Sequence, residues 1–472
     1  MSGGPAALRG GDEPALVGAR PPPNRSFLAR WRARGDRLMG IPDRAYDEPI
    51  VVSNSPFARF VLVNEPAGVK RVLVDNVANY PKTAMEQRFF TALFGAGLLG
   101  TDGELWRRHR RIMAPAFDPR SVAAYAPAMT ASAAALLARW DALPDGALVE
   151  MTEEMTSLTL AIICRTMFSA DSDDVVGLVG QAMKNGIDVG ADFGLLDVLP
   201  VIGEARMRKR EAFMAGVFAH LDEAIYRLVA AREADRGAAP NDLLGRLVAA
   251  KDTEGAQDAR GLTAREVRDE LLTIFIAGHE TTAVTMDWLW YVLSQRPVQE
   301  GRLHAELAAV LAGRAARQED LADLVYTRRV VEEAMRLYPA APGLSTRRAV
   351  AEDVVCGRTI PKGANVGVAP WVLHRSPRLW EDPERFDPDR FSPERAAGRP
   401  RFAYLPFGAG PRVCIGQVLA MNEAIIILAT LAQRYRPRLA EGAQIALHHN
   451  VTLRPRYGLK MILERRPPGR GG

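Results

Sequence analysis

The stretch that most limits what this chain can be is Phe407-Gly408-Ala409-Gly410-Pro411-Arg412-Val413-Cys414-Ile415-Gly416, one cysteine presented from a stiff turn. The glycines permit backbone angles closed to other residues, and Pro411 fixes its own φ. Apolar Val418, Met421, Ile425, Leu428 and Ala432 follow at helical spacing, which predicts that Cys414 opens a helix. Unpaired N–H groups and the positive end of a helix dipole lower a thiol pKa. Cys414 is therefore expected to become a thiolate readily, and a thiolate is a strong, electron-donating ligand for iron. A small buried cysteine beside a Gly-rich turn is the ordinary alternative.

Composition bounds the rest. With 472 residues, 48% hydrophobic and 25% charged, the chain has the balance of a globular protein with a sizeable core. Sixty-one basic residues against 56 acidic ones, a net charge of +5, is too small an excess to imply a nucleic-acid partner. The three cysteines, Cys164, Cys356 and Cys414, are scattered and form no CxxC pair. That usage suits a reducing cytoplasm, with Cys164 and Cys356 as packing residues.

Residues 1–24, rich in Gly, Ala and Pro, read as a loose tail without the layout of a signal peptide, and 467–472 as a second tail. Residues 25–466 read as one domain. Ser121 to Ala138 is uncharged, but it is mainly alanine and is expected to be too weakly apolar to span lipid, leaving no integral membrane anchor. Ile50–Val52 and Phe60–Val63 flank a turn signal and predict a hairpin; a second is expected from 450–455 and 459–463, and a small sheet from 354–368. Most of the remainder has helical periodicity. Gly95-Ala96-Gly97-Leu98-Leu99-Gly100 matches GxGxxG, yet a basic helix follows it and no second strand does, so it reads as a flexible apolar loop.

Three further patterns carry chemistry. Trp106 and Arg110, four apart, share one helix face and aim two donors the same way. Thr263 and Glu266 mark the start of a long apolar helix containing Ala277-Gly278-His279-Glu280-Thr281-Thr282. There Gly278 removes bulk, and Thr281 can bond a carbonyl one turn back, which favours a local kink. A carboxylate stranded in such a helix is costly without a purpose, and an acid beside a hydroxyl can relay protons. Finally, Glu333 and Arg336 lie three apart on a helix closed by Leu337-Tyr338-Pro339, with Pro383-Glu384-Arg385-Phe386 beyond.

Together these runs resemble the cytochrome P450 monooxygenases from about Arg44 to Arg465, with the signature Phe-x-x-Gly-x-Arg-x-Cys-x-Gly matched at Phe407, Gly410, Arg412, Cys414 and Gly416. The resemblance implies a mainly α fold with small β-sheets and haem b between two long helices. It makes Cys414 the axial iron ligand, with Phe407 and Gly416 beside it, and Trp106, Arg110, Arg412 and Arg347 at the haem propionates, Arg348 being the neighbour that could take Arg347's place. Ala277 would lie over the haem, Glu280 and Thr281 would serve oxygen activation, and His279 would not be a ligand. Glu333, Arg336 and Arg385 would form a structural clamp, while Phe193, Leu195, Leu196 and Val198 would line the pocket.

The function so implied is insertion of one atom of dioxygen into a lipophilic molecule such as a fatty acid, terpenoid or steroid. Electrons would come from NAD(P)H through a ferredoxin and its reductase to a monomer, and exposed Arg107, Arg108 and Arg111 would attract the acidic donor. A haem-thiolate peroxygenase or isomerase, or a haem sensor without turnover, is the alternative; each leaves the Glu280–Thr281 pair without a task.

Overall fold

The computed structural model describes residues 14–18, 38, 41–54, 59–168, 200–234, 242–250, 261–449 and 451–466. The helices that position the site are α1 (Ala84–Phe94), α2 (Gly103–Met113), α3 (Pro119–Asp141), α4 (Met151–Phe168), α5 (Pro200–Ala234), α6 (Ala264–Ser294), α7 (Val325–Leu337) and α8 (Gln417–Leu431). Of these α6 is the axis. It is buried from Leu271 to Ile276 and again from Thr282 to Leu293, and it packs on α4, α5, α7 and α8. A helix apolar on every side belongs inside a core. Its start is set as the sequence predicts: the Glu266 N–H donates to Thr263 Oγ1 at 3.2 Å, and the Thr263 N–H donates to Glu266 Oε2 at 2.7 Å.

The strands are β1 (Ile50–Asn54), β2 (Arg59–Val63), β3 (Ala147–Glu150), β4 (Arg347–Arg348), β5 (Asp353–Val355), β6 (Arg358–Ile360), β7 (Asn365–Gly367), β8 (Tyr435–Leu439), β9 (Leu447–His449), β10 (Leu453–Pro455) and β11 (Lys460–Arg465). β1 and β2 form the expected antiparallel pair, with Ile50 opposite Val63, and β7 and β4 extend that sheet. The last expected hairpin is different: β10 pairs with β9, whereas β11 lies between β3 and β8. Met461 and Leu463 explain the choice, since they alternate inward and a strand between two neighbours buries both.

Two other expectations need correction. Residues 14–18 of the N-terminal tail are docked, not loose. The Val17 N–H donates to the Tyr291 hydroxyl at 2.9 Å, Tyr338 donates to the Val17 carbonyl at 2.7 Å, Arg296 donates to the Pro14 carbonyl at 3.0 Å, and Leu16 is buried. Helix α3, for its part, reaches a mean hydropathy of 1.4, long and apolar enough to cross a membrane by composition. Its packing gives another use for that apolarity: Val122, Ala126, Met129 and Ala133 are buried, and the helix lies against α8 and α4.

Candidate active site

The Cys414 loop is held by its own backbone and by a close approach to a neighbour. The Cys414 N–H donates to the Phe407 carbonyl at 2.9 Å, and that of Val413 to the Gly410 carbonyl at 3.0 Å. Gly410 has φ +73°, and a Cβ there would sit 1.9 Å from the Leu73 carbonyl oxygen, so no side chain fits. Helix α8 begins only at Gln417, with Gly416 as N-cap, so Cys414 precedes the helix instead of opening it. Cys414 is exposed at the surface of the loop, yet desolvation by the surrounding chain pushes the thiol pKa up, against the pull of the Gly416 N–H and of Arg110. The expected depressed pKa is thus absent from the protein alone; coordination to a metal is what deprotonates such a thiol.

Beside the loop a cluster of cations converges from four parts of the chain. The Arg412 guanidinium lies 4.1 Å from the Trp106 ring centroid, donates to the Thr101 carbonyl at 3.1 Å and pairs with Asp102. Arg110, half-buried on α2, acts electrostatically on both Cys414 and Arg412. Arg347 is buried and bridges to Lys82, while its neighbour Arg348 is exposed, so Arg347 is the one that faces in. Its Nε is buried without a partner. Lys82 is buried too: desolvation, with repulsion from Arg412 and Arg347, lowers its pKa to about 8.

Four cations stand here against few anions. Asp102 is bound by Arg412 and by the Lys82 N–H, and Glu86 accepts from the Thr346 N–H at 2.7 Å. Four cations, two of them buried and one of those with an orphaned N–H, call for anionic oxygens. The two propionates of haem fit that requirement, and a thiol on the adjoining loop fits its iron. Nothing in the sequence spacing pointed to Lys82, because its place depends on a bridge to a strand far along the chain.

On α6 the burial breaks where the motif stands. Ala277 is exposed and Gly278, Glu280 and Thr281 are partly so, in a helix otherwise enclosed. The Thr281 hydroxyl donates to the Ala277 carbonyl at 2.7 Å and that of Thr282 to the Gly278 carbonyl at 3.1 Å. The helix continues through the motif, with these hydroxyl bonds at the place where the kink is expected. His279 is buried, with Nδ1 2.9 Å from the Phe275 carbonyl. Glu280 turns to β10, where its Oε1 accepts from Arg454 Nε at 3.0 Å and Nη2 at 2.6 Å and from the Thr452 hydroxyl.

The family model for cytochrome P450 matches residues 44–461. The chain belongs to the cytochrome P450 family. Cyclooctatin synthase of Streptomyces melanosporofaciens is 36% identical over 93% of this chain and 90% of that protein. Cyclooctat-9-en-7-ol 5-monooxygenase of the same organism is 34% identical over 89% of this chain and 88% of that protein. The crystal structure of the cytochrome P450DA haem domain superposes with a TM-score of 0.78 at 25% identity, covering 90% of this chain and 92% of that one. This P450 is accordingly a haem-dependent monooxygenase of lipophilic molecules, with the fold expected for one.

The clamp of this P450 differs from expectation at one residue. Arg336 binds Glu333 in two places, at 2.7 and 2.9 Å, and donates to the carbonyls of His374 and Pro383 at 2.7 Å. Arg385 contributes only its carbonyl, 3.0 Å from Arg336, and its side chain is exposed. The third charge is Arg390, buried with Nε 3.3 Å from Glu333. The pattern Pro-x-Arg-Phe occurs twice, at Pro383–Phe386 and at Pro388–Phe391, and the second copy is the one whose strand of chain returns to Glu333.

The loop after α1 is also pinned, not flexible: the Ala96 N–H donates to Asp269 at 2.9 Å and that of Leu98 to Glu270 at 3.1 Å. Glu270 meets His109 Nδ1 at 2.7 Å, and Arg108 binds Glu266 at 2.8 Å, so Arg108 is drawn into the structure while Arg107 and Arg111 stay outside. A cleft of about 560 Å³ opens beside the loop, where apolar Ala92, Leu93, Met214 and Phe218 alternate with the charged side chains of Glu211, Asp222, Arg265, Arg268 and Asp269. The pocket-lining positions expected at Phe193, Leu195, Leu196 and Val198 lie outside the described residues.

Proposed function

We propose that this P450 oxidises a cyclic terpenoid hydrocarbon or alcohol, with Cys414 as iron ligand and with Lys82, Arg110, Arg347 and Arg412, beside Trp106, holding the propionates. Haem, when bound, supplies the binding and reductive cleavage of dioxygen. Thr281 Oγ1 hands on a proton, and Glu280, once released by Arg454, replaces it. The names of the relatives support the substrate class, since one is a monooxygenase of cyclooctat-9-en-7-ol and another, 30% identical over 79% of this chain, is the pentalenene oxygenase of Streptomyces avermitilis. Electrons reach the haem from NAD(P)H through a separate ferredoxin in the cytoplasm, and exposed Arg107 and Arg111 on α2 offer that acidic donor a landing place.

The observation that carries the reading is the cysteine loop set against an under-neutralised cation cluster. Reduced protein with carbon monoxide should show the red-shifted band of thiolate-ligated haem, and Cys414→Ala should lose it. A panel of cyclic terpenes and terpene alcohols should contain members that shift the resting haem band and yield a hydroxylated product. A band unchanged in Cys414→Ala, or binding confined to linear fatty acids, would overturn the corresponding half of the proposal.

A further inference from the structure

His109 of α2 is fully buried, and each of its ring nitrogens faces a carboxylate of α6. Nδ1 lies 2.7 Å from Glu270 Oε1, and Nε2 lies 3.2 Å from Glu266 Oε1. The two acids stand four apart on one face of α6, so a single imidazole spans them. Burial pushes the Glu266 pKa up, yet the Thr263 N–H, this imidazole and Arg108 hold it at about 2, so Glu266 is ionised and only accepts. Nε2 therefore carries a proton. At Nδ1 a separation of 2.7 Å is that of a charge-assisted bond, and a bare lone pair there would meet a carboxylate oxygen. Burial raises the Glu270 pKa as well, but the Leu98 N–H donates to its Oε2 at 3.1 Å and keeps it an acceptor. With a proton on both nitrogens, His109 is an imidazolium.

The same helix carries two of the residues assigned to the haem. Trp106, three before His109, lies under the Arg412 guanidinium at 4.1 Å, and Arg110 shares the Trp106 face. His109 projects about 100° round the helix from Arg110, toward α6. Because α2 does not pack along the length of α6, its roll about its own axis is set by side-chain ties. Arg108, partly exposed, supplies one of them through Glu266 and the Gly261 carbonyl, and His109 supplies the buried one.

We propose that His109 is a positioning residue for haem: clasped as an imidazolium between Glu266 and Glu270, it fixes the roll of α2 and so the aim of Trp106 and Arg110 at the propionates. This rests on the haem placement proposed above. The clasp also ties that aim to the loop after α1, because Glu270 holds Leu98 as well. It depends on pH. Although burial alone lowers it, the bonds to Glu270 and Glu266 raise the His109 pKa above 6.5, so the clasp is complete below that value and is lost as pH rises through the folded one. The other charges around it are Arg108, beside it on α2, and Asp269, which adjoins Glu270 and is bound by Arg268.

Haem transfer from the ferric holoprotein to excess apomyoglobin, followed from about pH 6 to about pH 10, reads the clasp. His109→Gln should release haem about tenfold faster than wild type at the low end, as for the loss of one hydrogen bond to a charged group, and the ratio should fall to unity at the high end. Lys82, brought to about 8 by burial, titrates in the same range beside the propionates, but it is present in both proteins and cancels in their ratio. A ratio of unity throughout, or a ratio that does not change with pH, overturns the proposal; the second outcome leaves His109 a packing residue. Should His109→Gln fail to fold, nitrogen NMR of the wild-type carbon monoxide form decides. One of the 7 histidines should keep both ring protons at about pH 8, where an ordinary imidazole has lost one, and finding none overturns the proposal. Trp106→Phe and Arg110→Gln separate the haem placement from the clasp. Both should speed transfer. If neither does, the placement fails and takes the role of His109 with it, whereas faster transfer in these two beside an indifferent His109→Gln removes His109 alone.

Discussion

At Cys414, an exposed side chain, desolvation by the surrounding chain works against the Gly416 N–H and Arg110, and what the loop stores is a position. Gly410 lets the loop pass within contact of the Leu73 carbonyl, and that approach, not a helix dipole, sets where sulfur points. Such a constraint is legible in a sequence because it needs particular residues at fixed spacing. Lys82 was not legible, since any buried lysine reads the same until its neighbours are known. The acid–hydroxyl pair makes a sharp expectation. Thr281→Ala removes the hydroxyl now bonded to Ala277 without opening a large cavity, so haem and substrate should still bind. The ratio of product to peroxide should fall by about a hundredfold, the low end of a general acid's contribution. Glu280→Gln should do the same, and equal coupling in all three proteins would remove the relay.

Among elements, three ties decide whether the site holds its shape. The clamp ties α7 to the chain before the cysteine loop, and the repeated Pro-x-Arg-Phe shows why its third member was misread: both copies satisfy the local pattern, and only tertiary return selects Arg390. Arg390→Ala should cost ~3 kcal/mol, the low end for breaking a buried ion pair, because Arg336 still serves Glu333. Arg385→Ala leaves the carbonyl in place and should stay within ~0.5 kcal/mol in denaturant unfolding. The second tie, residues 14–18, lies on Tyr291, Tyr338 and Leu447, the last of these in β9, whose partner β10 holds Glu280. Low sequence complexity hid it, because backbone hydrogen bonds leave no side-chain pattern. Leu16→Asp should undock it at a cost of ~2 kcal/mol of apolar burial, seen as faster hydrogen exchange at Val17. The third tie joins the loop after α1 to Asp269 and Glu270, and it turns an apparent nucleotide motif into one wall of the cleft.

For the whole molecule, charge buried in the helical core should give stability two pH limbs with different causes. Although burial pushes it up, Glu266 is held at about 2 by the Thr263 N–H, His109 and Arg108. Its folded pKa lies below the unfolded value of ~4.3, so its contribution is full above that value and is lost as pH falls toward 2. Glu423 on α8 has the opposite sign. It is buried with Oε1 unpartnered, and burial alone raises its pKa to about 8. Below pH ~4.3 both folded and unfolded forms carry its proton, and it contributes no pH dependence. Between there and about 8 the unfolded chain gives up the proton while the folded one keeps it, so unfolding gains steadily as pH rises. Above that range the penalty is constant. Glu423→Gln keeps the shape and abolishes the titration. Its melting temperature should therefore match wild type near pH 4, exceed it by a margin that widens up to about pH 8, and run parallel beyond. A margin independent of pH would mean that Glu423 is ionised in the fold and that an unseen donor satisfies it.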